Sequence, residues 1–269
     1  MTMRTGAESN RIAEWLRGRA SAAGARGFVV GLSGGVDSAV VVRLCQLAAP
    51  DDTLAVLMPS HSDPRDGQDA MLVADHFGVT SVRADLTLPY DQLTVTLADA
   101  IARLPQSSAP LTPSTDIKAR VPLANVTPRL RMTTLYFLAN SLNALVAGTG
   151  NRSELSIGYF TKYGDGGVDL LPIGHLLKNE VRALARELGV PARVIDKPPS
   201  AGLWPGQTDE AEMGFRYADL ENYLTRGPET VAPALALRIE RLIRATDHKR
   251  AMPPTPEDAT SDQEPGTRD

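Results

Sequence analysis

This sequence lacks several features that whole classes of protein require. Cys45 is the only cysteine among the 269 residues, so neither an intramolecular disulfide nor a cysteine-rich metal site can form. No stretch approaches the roughly 20 uninterrupted apolar residues of a membrane span, and the start of the chain lacks the basic-then-apolar pattern of a secretory signal. We therefore expect a cytoplasmic protein without a membrane partner.

Clusters of basic residues are also missing. The net charge of −4 is accounted for by the segment from Pro253 onward, which carries five acidic residues against Arg268, so the rest of the chain is neutral overall. A neutral body without Lys/Arg clusters argues against a nucleic-acid partner. The tail, residues 253–269, is acidic and rich in proline and is expected to be disordered, whereas residues 1–252 are expected to form a single domain.

One feature the chain does have is a glycine-rich turn between two apolar segments. Residues 28–32 are typical of a buried parallel strand, and residues 36–47 are apolar at helical spacing. The glycines between them put backbone N–H groups at the positive end of the following helix, which favours an anion such as a nucleotide phosphate. Asp37 would repel that phosphate unless a cation lay between them, so we predict Mg²⁺ there. A turn that serves packing alone is the alternative.

The turn differs from the common nucleotide-binding loop because no lysine follows its glycines to hold a terminal phosphate. Transfer of the γ-phosphoryl group is therefore disfavoured. The string Ser33-Gly34-Gly35-Val36-Asp37-Ser38 resembles the loop of the ATP-pyrophosphatases. That resemblance implies cleavage of ATP between its α and β phosphates and adenylation of a substrate oxygen.

Helical and strand-like segments alternate along most of the chain, which predicts an α/β fold, a doubly wound parallel sheet with helices on both faces. Strands are expected at 28–32, 53–58, 79–84 and 145–147, and helices at 8–24, 36–47, 66–77, 90–104 and from near Asn125 to Leu142. Residues 105–122 are rich in Pro, Ser and Thr and predict a loop. Two further functional loops are predicted at 163–168 and 197–207, the second resembling a lid.

A second set of polar residues follows the fourth predicted strand. The string Gly148-Thr149-Gly150-Asn151-Arg152-Ser153-Glu154 places Glu154 in the first turn of the next helix, as Asp37 is placed after the first strand. Because ligands gather at the carboxyl ends of parallel strands, both carboxylates are expected to face one Mg²⁺ on the ATP phosphates. An acid that merely stabilises a helix start is the alternative for Glu154.

Other polar residues are candidates for binding the rest of a substrate. Arg129 and Arg131 cannot share one helix face, so they are expected to serve different groups, one of them a dinucleotide pyrophosphate. Residues 161–169 combine charged side chains with glycines, which indicates a polar ligand. The alternatives are solvated arginines, an ordinary acidic turn, a solvated Lys178, and a carbonyl-capping role for residues 248–250.

Six strings in order resemble the ammonia-dependent NAD⁺ synthetases, and the likeness covers nearly the whole chain. They are GLSGGVDSA at 31, NVTPRLRM at 125, LVAGTGNRSE at 145, GYFTKYGDGGVDLLPIGHLLK at 158, KPPSAGLWPGQTDE at 197 and HKR at 248. The resemblance implies the adenine nucleotide alpha hydrolase-like fold. It also implies an enzyme that adenylates the nicotinate carboxylate of deamido-NAD⁺ with ATP and Mg²⁺, after which ammonia displaces AMP to give NAD⁺.

The same resemblance implies roles for particular residues. ATP contacts are implied for Gly31, Leu32, Ser33, Gly34, Gly35, Val36, Asp37, Ser38, Thr149, Lys178 and Ser200. Deamido-NAD⁺ contacts are implied for Arg129, Lys162, Asp169, His248 and Lys249. Asp37 and Glu154 would hold Mg²⁺, Asp165 would handle ammonia, and Lys178 would take part in catalysis.

Partners and competing functions follow from the family as well. The resemblance implies a homodimer that uses ammonia, either free or delivered by another protein. The alternatives are another adenylating enzyme with the same loop, of the tRNA-thiolating or GMP-forming kind, or a nucleotide sensor without catalysis. A thiolating enzyme is disfavoured because Cys45 is a lone thiol and basic runs are lacking, and a sensor is disfavoured because both carboxylates are present.

Overall fold

A parallel four-stranded sheet forms the centre of the protein. The computed structural model describes residues 6–104, 117–200 and 208–256. Within them the strands are β1 (Gly27–Gly31), β2 (Thr53–Leu57), β3 (Ser81–Arg83) and β4 (Ala144–Val146), in the order β3-β2-β1-β4. Phe28 of β1 lies opposite Thr53 of β2 on one side and Leu145 of β4 on the other. The predicted parallel sheet is confirmed.

Helices connect and follow the strands, as the alternating pattern predicts. They are α1 (Ala7–Ala22), α2 (Val36–Ala48), α3 (Pro64–Phe77), α4 (Thr87–Ala102), α5 (Ile117–Ala124), α6 (Val126–Leu142), α7 (Arg152–Ile157), α8 (Lys178–Glu187), α9 (Ala192–Ile195), α10 (Asp209–Met213), α11 (Tyr217–Arg226) and α12 (Pro233–Ala245). Two short 3₁₀ helices span Pro228–Thr230 and Asp247–Lys249. No helix in the described ranges is long and apolar enough to cross a membrane.

Both faces of the sheet are covered, which confirms the doubly wound arrangement. Alternate residues of a strand point to opposite faces. Phe28 and Val30 of β1 pack with α1, α2, α3, α8 and α9, whereas Val29 packs on the other face against Leu135 and Ala139 of α6. Cys45 of α2 is fully buried in the first of these layers, and burial raises the pKa of its thiol.

A third apolar cluster lies outside the sheet layers. Residues of α7, α11 and α12 form it, with Leu220 and Ile239 fully buried and Ile157 nearly so. The cluster packs the C-terminal helices against α7, which follows the carboxyl end of β4. Residues from the last quarter of the chain therefore reach the same edge of the sheet as the glycine turn.

The predicted loop over 105–122 is partly wrong. Helix α5 begins at Ile117 and contains Pro122, while residues 105–116 lie outside the described part of the chain. Proline at 122 forbids one helical hydrogen bond, but the segment packs onto α4 and α6, where Leu123, Leu97 and Val126 line a small apolar hollow of about 310 Å³. Val121 and Pro122 are exposed, so this helix forms with contacts to its neighbours but without deep burial.

Candidate active site

The strand order reverses between β1 and β4, and a cleft lies at this point of the sheet. The connections from β1 through β2 to β3 run to one side, whereas β4 lies on the other side of β1. Ligands of doubly wound proteins bind outside the carboxyl ends of strands at such a switch point. The cleft has a volume of about 1260 Å³. Its lining includes these predicted site residues: Gly31, Leu32, Ser33, Gly35, Val36, Asp37, Ser38, Thr149, Glu154, Asp165, Lys178, Ser200 and Lys249.

The glycine turn packs closely against α3 at Gly34, which is not among the residues that line the cleft. Gly34 has a φ of +78°, and a Cβ atom on it would lie 2.3 Å from the carbonyl oxygen of Asp66 in α3. Only glycine fits this position. The Ser38 hydroxyl donates to the carbonyl of Gly35 at 2.9 Å and fixes the turn at the start of α2. The N-terminus of α2 thus lies at the cleft, where its first N–H groups favour an anion.

Asp37 and Glu154 are brought to one lysine, as the sequence predicts for a shared site. Lys178, the first residue of α8, is 2.5 Å from Asp37 Oδ2 and 3.2 Å from Glu154 Oε1. Its side chain is 4% exposed, and each carboxylate is 17% exposed. The alternative of a solvated lysine is therefore wrong.

Burial sets the protonation of this cluster. Burial alone would lower the pKa of Lys178, but the charges of Asp37 and Glu154 outweigh it, so the pKa is raised and the ammonium keeps its proton. Burial raises the pKa of Glu154 to about 7, against the opposing attraction of Lys178. Asp37 and Glu154 thus form a pair of acids whose ionised forms a bound cation stabilises.

The donor set at this edge fits Mg²⁺. Carboxylate oxygens are its preferred protein ligands, and Mg²⁺ is commonly held by one or two carboxylates together with substrate phosphates. Within the described ranges, no group of three or more His, Cys, Asp or Glu side chains is arranged to hold a metal ion. Asp37 and Glu154 are the two carboxylates that meet Lys178 at this edge.

Several residues of the site were not assigned from the sequence. The Tyr217 hydroxyl lies 3.3 Å from Glu154 Oε1 and 2.9 Å from Asp209 Oδ2, and the Tyr159 hydroxyl lies 3.2 Å from Asp209 Oδ1. Burial raises the pKa of Asp209, opposed by Lys178 and Tyr217. These contacts depend on how α10 and α11 pack over α7, which no local pattern reveals.

Asn151 is the other residue that sequence reasoning left without a role. Its side chain accepts from the N–H of Glu154 and donates to Asp37 Oδ1, both at 3.1 Å. A local signal was available, because Asn followed three positions later by Glu is a capping box at a helix start. The contact with Asp37 spans 114 positions and is not a local signal.

Asp165 lies at the cleft in the segment predicted to be a functional loop. Its Oδ1 accepts from the Thr161 N–H at 2.9 Å, and the Thr161 hydroxyl donates to Asn125 Oδ1 at 2.8 Å. Desolvation by the surrounding protein raises the pKa of Asp165, although the side chain is open to the cleft, and the Thr161 N–H opposes that shift. The arrangement holds a carboxylate that takes up a proton more readily than usual.

The residues expected to meet the dinucleotide are only partly brought together: Arg129, Lys162 and His248 are linked by hydrogen bonds, whereas Asp169 is not joined to them. Arg129 Nη2 is 3.3 Å from the Lys162 carbonyl, and Lys162 Nζ donates to the His248 carbonyl. Asp169 instead accepts from Tyr136 at 3.0 Å and from the Val146 N–H at 2.8 Å. Arg129, Lys162, Asp169 and His248 are not among the residues that line the cleft.

The alternative that residues 248–250 cap carbonyls at the end of the last helix describes Arg250, whereas Lys249 binds carbonyls that follow α7. Lys249 Nζ donates to the carbonyls of Gly158 and Phe160, each at 2.7 Å, and Arg250 Nη2 donates to the Ile243 carbonyl at 2.6 Å. Lys249 also lines the cleft. Arg131 turns away from Arg129, as expected of residues two apart, and donates to the Met58 carbonyl at 3.2 Å.

The sheet topology and the cleft are those of a nucleotide-binding α/β enzyme. The crevice at the carboxyl ends of the strands contains the N-terminus of α2, which favours phosphate, and two carboxylates of the kind that hold a phosphate-bound cation. A family profile described as NAD synthase matches residues 8–253. The chain belongs to this family of ligases. An NH₃-dependent NAD⁺ synthetase of Carboxydothermus hydrogenoformans is 48% identical over 249 residues, which cover 93% of this chain and 96% of that protein.

Solved structures agree on the fold. An NMN synthetase from Francisella tularensis superposes with a TM-score of 0.84 at 34% identity, covering 95% of this chain and 99% of the other. An NH₃-dependent NAD synthetase from Campylobacter jejuni superposes with a TM-score of 0.74 at 27% identity, covering 94% and 99% of the two chains. The predicted fold class and family resemblance are confirmed.

Proposed function

We propose that the cleft converts deamido-NAD⁺ to NAD⁺ with ATP and ammonia, through an adenylated nicotinate carboxylate. The observation that carries the proposal is Lys178 joined to Asp37 and Glu154 beside the glycine turn, at the switch point of the sheet. A carboxylate is a poor acyl donor, so attachment of AMP creates the leaving group that amidation needs.

In the first step a nicotinate carboxylate oxygen bonds to the α-phosphorus of ATP, and pyrophosphate leaves. The N–H groups of the glycine turn hold the phosphates, and Asp37 and Glu154 would hold Mg²⁺, which supplies charge neutralisation when bound. Lys178 lines the cleft beside the two carboxylates, and its positive charge would offset the negative charge that develops on the leaving pyrophosphate. Thr149 and Ser200 line the cleft and contribute hydroxyl groups.

In the second step the nitrogen of ammonia bonds to the acyl carbon, and the bond to AMP breaks. The attacking nitrogen must lose a proton, and ammonium must lose one before it attacks. Asp165 accepts protons because its carboxylate lies at the cleft and its pKa is raised. Arg129, Lys162, Asp169, His248 and Lys249 bind the remainder of the dinucleotide in this proposal, at the side of the cleft.

Two features favour a homodimer. Most of the residues proposed to bind the dinucleotide lie outside the cleft of the single chain, and part of the surface is apolar and exposed. Helix α4 has no buried residue in the single chain although its composition is apolar. Leu88 and Val95 of α4 are 75% and 62% exposed, and Phe137 of α6 is 70% exposed. Patches of this kind mark protein interfaces. Substitution of Phe137→Glu is expected to shift the mass in solution from dimer to monomer, whereas an unchanged mass would contradict this contact. A cytoplasmic location stays a prediction.

The likeness to an NMN synthetase favours one second candidate, amidation of nicotinate mononucleotide. Both substrates present the same carboxylate and differ in the adenylate half. The experiment is to incubate the purified chain with ATP, Mg²⁺ and ammonium, together with either deamido-NAD⁺ or nicotinate mononucleotide, and to measure kcat/KM for each. The proposal expects deamido-NAD⁺ to be preferred. Preference for the mononucleotide supports the second candidate, and a folded protein that yields no amide and no AMP from either substrate would contradict both.

A further inference from the structure

Asn151 joins the starts of two helices that belong to different halves of the chain. It is completely buried, with 0% exposure, and stands as the N-cap of α7 directly after the end of β4. Its Oδ1 accepts from the Glu154 N–H at 3.1 Å, and the Glu154 carboxylate accepts in return from the Asn151 N–H at 3.3 Å. Its Nδ2 donates to Asp37 Oδ1 at 3.1 Å, in the first turn of α2.

The chemistry of these neighbours allows one orientation of the amide. A backbone N–H can only donate, so it must meet the amide oxygen, and an ionised carboxylate only accepts, so it must meet the NH₂ group. The amide oxygen and the amide NH₂ group of Asn151 therefore both form hydrogen bonds inside the protein.

Helix capping alone does not require asparagine at this position. Asp and Ser cap helices about as well as Asn. Neither offers a second atom that donates to Asp37 while the first accepts from Glu154. The use of an amide here is explained by the added contact with the Asp37 carboxylate, not by the cap.

The link has a consequence for the oxygens that face the cleft. Asp37 Oδ1 is bound by Asn151, and Oδ2 is the atom that meets Lys178 at 2.5 Å. Glu154 is held in the same way, since one oxygen accepts from the Asn151 N–H and the other meets Lys178 at 3.2 Å. Asn151 thus holds one oxygen of each acid, Asp37 through its side-chain amide and Glu154 through its backbone N–H, and the other oxygen of each acid meets the Lys178 ammonium.

We propose that Asn151 is a positioning residue that orients Asp37 and Glu154 as a pair for a divalent cation on the nucleotide phosphates. The proposal rests on the function proposed above. Hydrogen-bond partners behind metal ligands are worth about 10-fold to 100-fold in metal affinity or activity. Asn151 would act in this way on both acids at once.

The test uses Asn151→Ser, which keeps a capping oxygen and removes the amide nitrogen that lies 3.1 Å from Asp37 Oδ1. Mn²⁺ is the probe, titrated by electron paramagnetic resonance into the folded protein with α,β-methylene-ATP. The variant is expected to bind Mn²⁺ about 10-fold to 100-fold more weakly, with an unchanged KM for deamido-NAD⁺. If Asn151→Ser does not fold, Asn151→Thr is measured in the same way.

Asn143→Ser is the matched control. Asn143 has a φ of +53° and donates its amide to the Gly24 carbonyl at 2.9 Å, at the opposite end of β4 from the cleft. The control is expected to lose thermal stability and to keep the wild-type Mn²⁺ affinity. A drop in both variants alike would show that destabilisation explains the result, and would overturn the role of Asn151.

Two outcomes separate this inference from the proposed function. If the wild-type chain forms NAD⁺ and Asn151→Ser binds Mn²⁺ as tightly as wild type, the positioning role is overturned and the function stands. If the wild-type chain forms no NAD⁺, the function fails, and the Mn²⁺ titrations still decide whether Asn151 orients the pair. A wild-type protein that binds no Mn²⁺ with the nucleotide overturns the role of Asn151 as well.

Discussion

Substitution of Gly34→Ala tests whether the glycine turn needs its backbone conformation or only its flexibility. Gly34 has a φ of +78°, a region that costs an L-residue roughly 1–2 kcal/mol. The new Cβ would also lie 2.3 Å from the Asp66 carbonyl oxygen and 3.0 Å from the Ala70 nitrogen. Both are backbone atoms of α3, so no side chain can rotate to relieve the contact.

Together the two effects predict a substantial loss of stability. Overpacking of this kind costs about 1–3 kcal/mol, which with the backbone term gives about 2–5 kcal/mol. For a chain of this size each kcal/mol lowers Tm by about 2–4 °C, so a fall of at least about 4 °C is expected. Relief of the clash must move α3 away from the turn, and KM for ATP is therefore expected to rise.

Two other glycines, Gly35 beside it and Gly18 in α1, provide controls with different expected effects. Gly35 has a φ of −95°, and its Cβ would meet only the Ser33 hydroxyl at 3.4 Å, so Gly35→Ala is expected to change Tm little. Gly18 lies inside α1 with nothing within 4 Å, so Gly18→Ala is expected to raise stability by about 1 kcal/mol. Scanning calorimetry of the three variants decides the matter, and a Gly34→Ala protein that melts with the wild type would refute the reasoning.

Three further predictions concern the charged cluster and the ammonia step. Lys178→Met leaves Asp37 and Glu154 without their cation; we expect a loss of about 3 kcal/mol or more in chemical denaturation, with loss of adenylation, and unchanged stability would contradict the buried ion pair. Because the pKa of Glu154 is raised in the folded state, from 4.5 to about 7, its contribution to stability is present below the lower value and lost as pH rises through the higher one. Glu154→Gln should therefore lose less stability than the wild type between pH 5 and 7, and equal slopes would show that burial does not hold that proton. Asp165→Asn is expected to release a burst of pyrophosphate while NAD⁺ forms slowly, whereas equal slowing of both products would place Asp165 outside the amidation step.

The parts of the site that follow a strand directly were predictable from sequence. Each of Asp37 and Glu154 stands in the first turn of a helix after a parallel strand, and strand ends of one sheet meet at one edge. Their convergence on Lys178 follows from the order β3-β2-β1-β4, which makes β1 and β4 neighbours. The alternating pattern predicts the sheet but not that order.

Contacts between distant helices were beyond local patterns. Tyr217 reaches Glu154 across 63 positions because α11 packs on α7 through a separate apolar cluster. The helix at Ile117–Ala124 was missed because Pro122 is a helix-breaking signal and the contacts of this helix with α6 are not visible in the local sequence. The acidic tail stays a prediction, because residues 257–269 lie outside the described part of the chain.

The central claim is that ATP activates the nicotinate carboxylate by forming an acyl adenylate. The most direct measurement supplies deamido-NAD⁺ labelled with ¹⁸O in that carboxylate, together with ATP, Mg²⁺ and ammonium, and analyses the released AMP by mass spectrometry. Adenylation at the carboxylate predicts one ¹⁸O atom in the phosphate of AMP for each NAD⁺ formed. NAD⁺ accompanied by unlabelled AMP, or by ADP and phosphate, would contradict it.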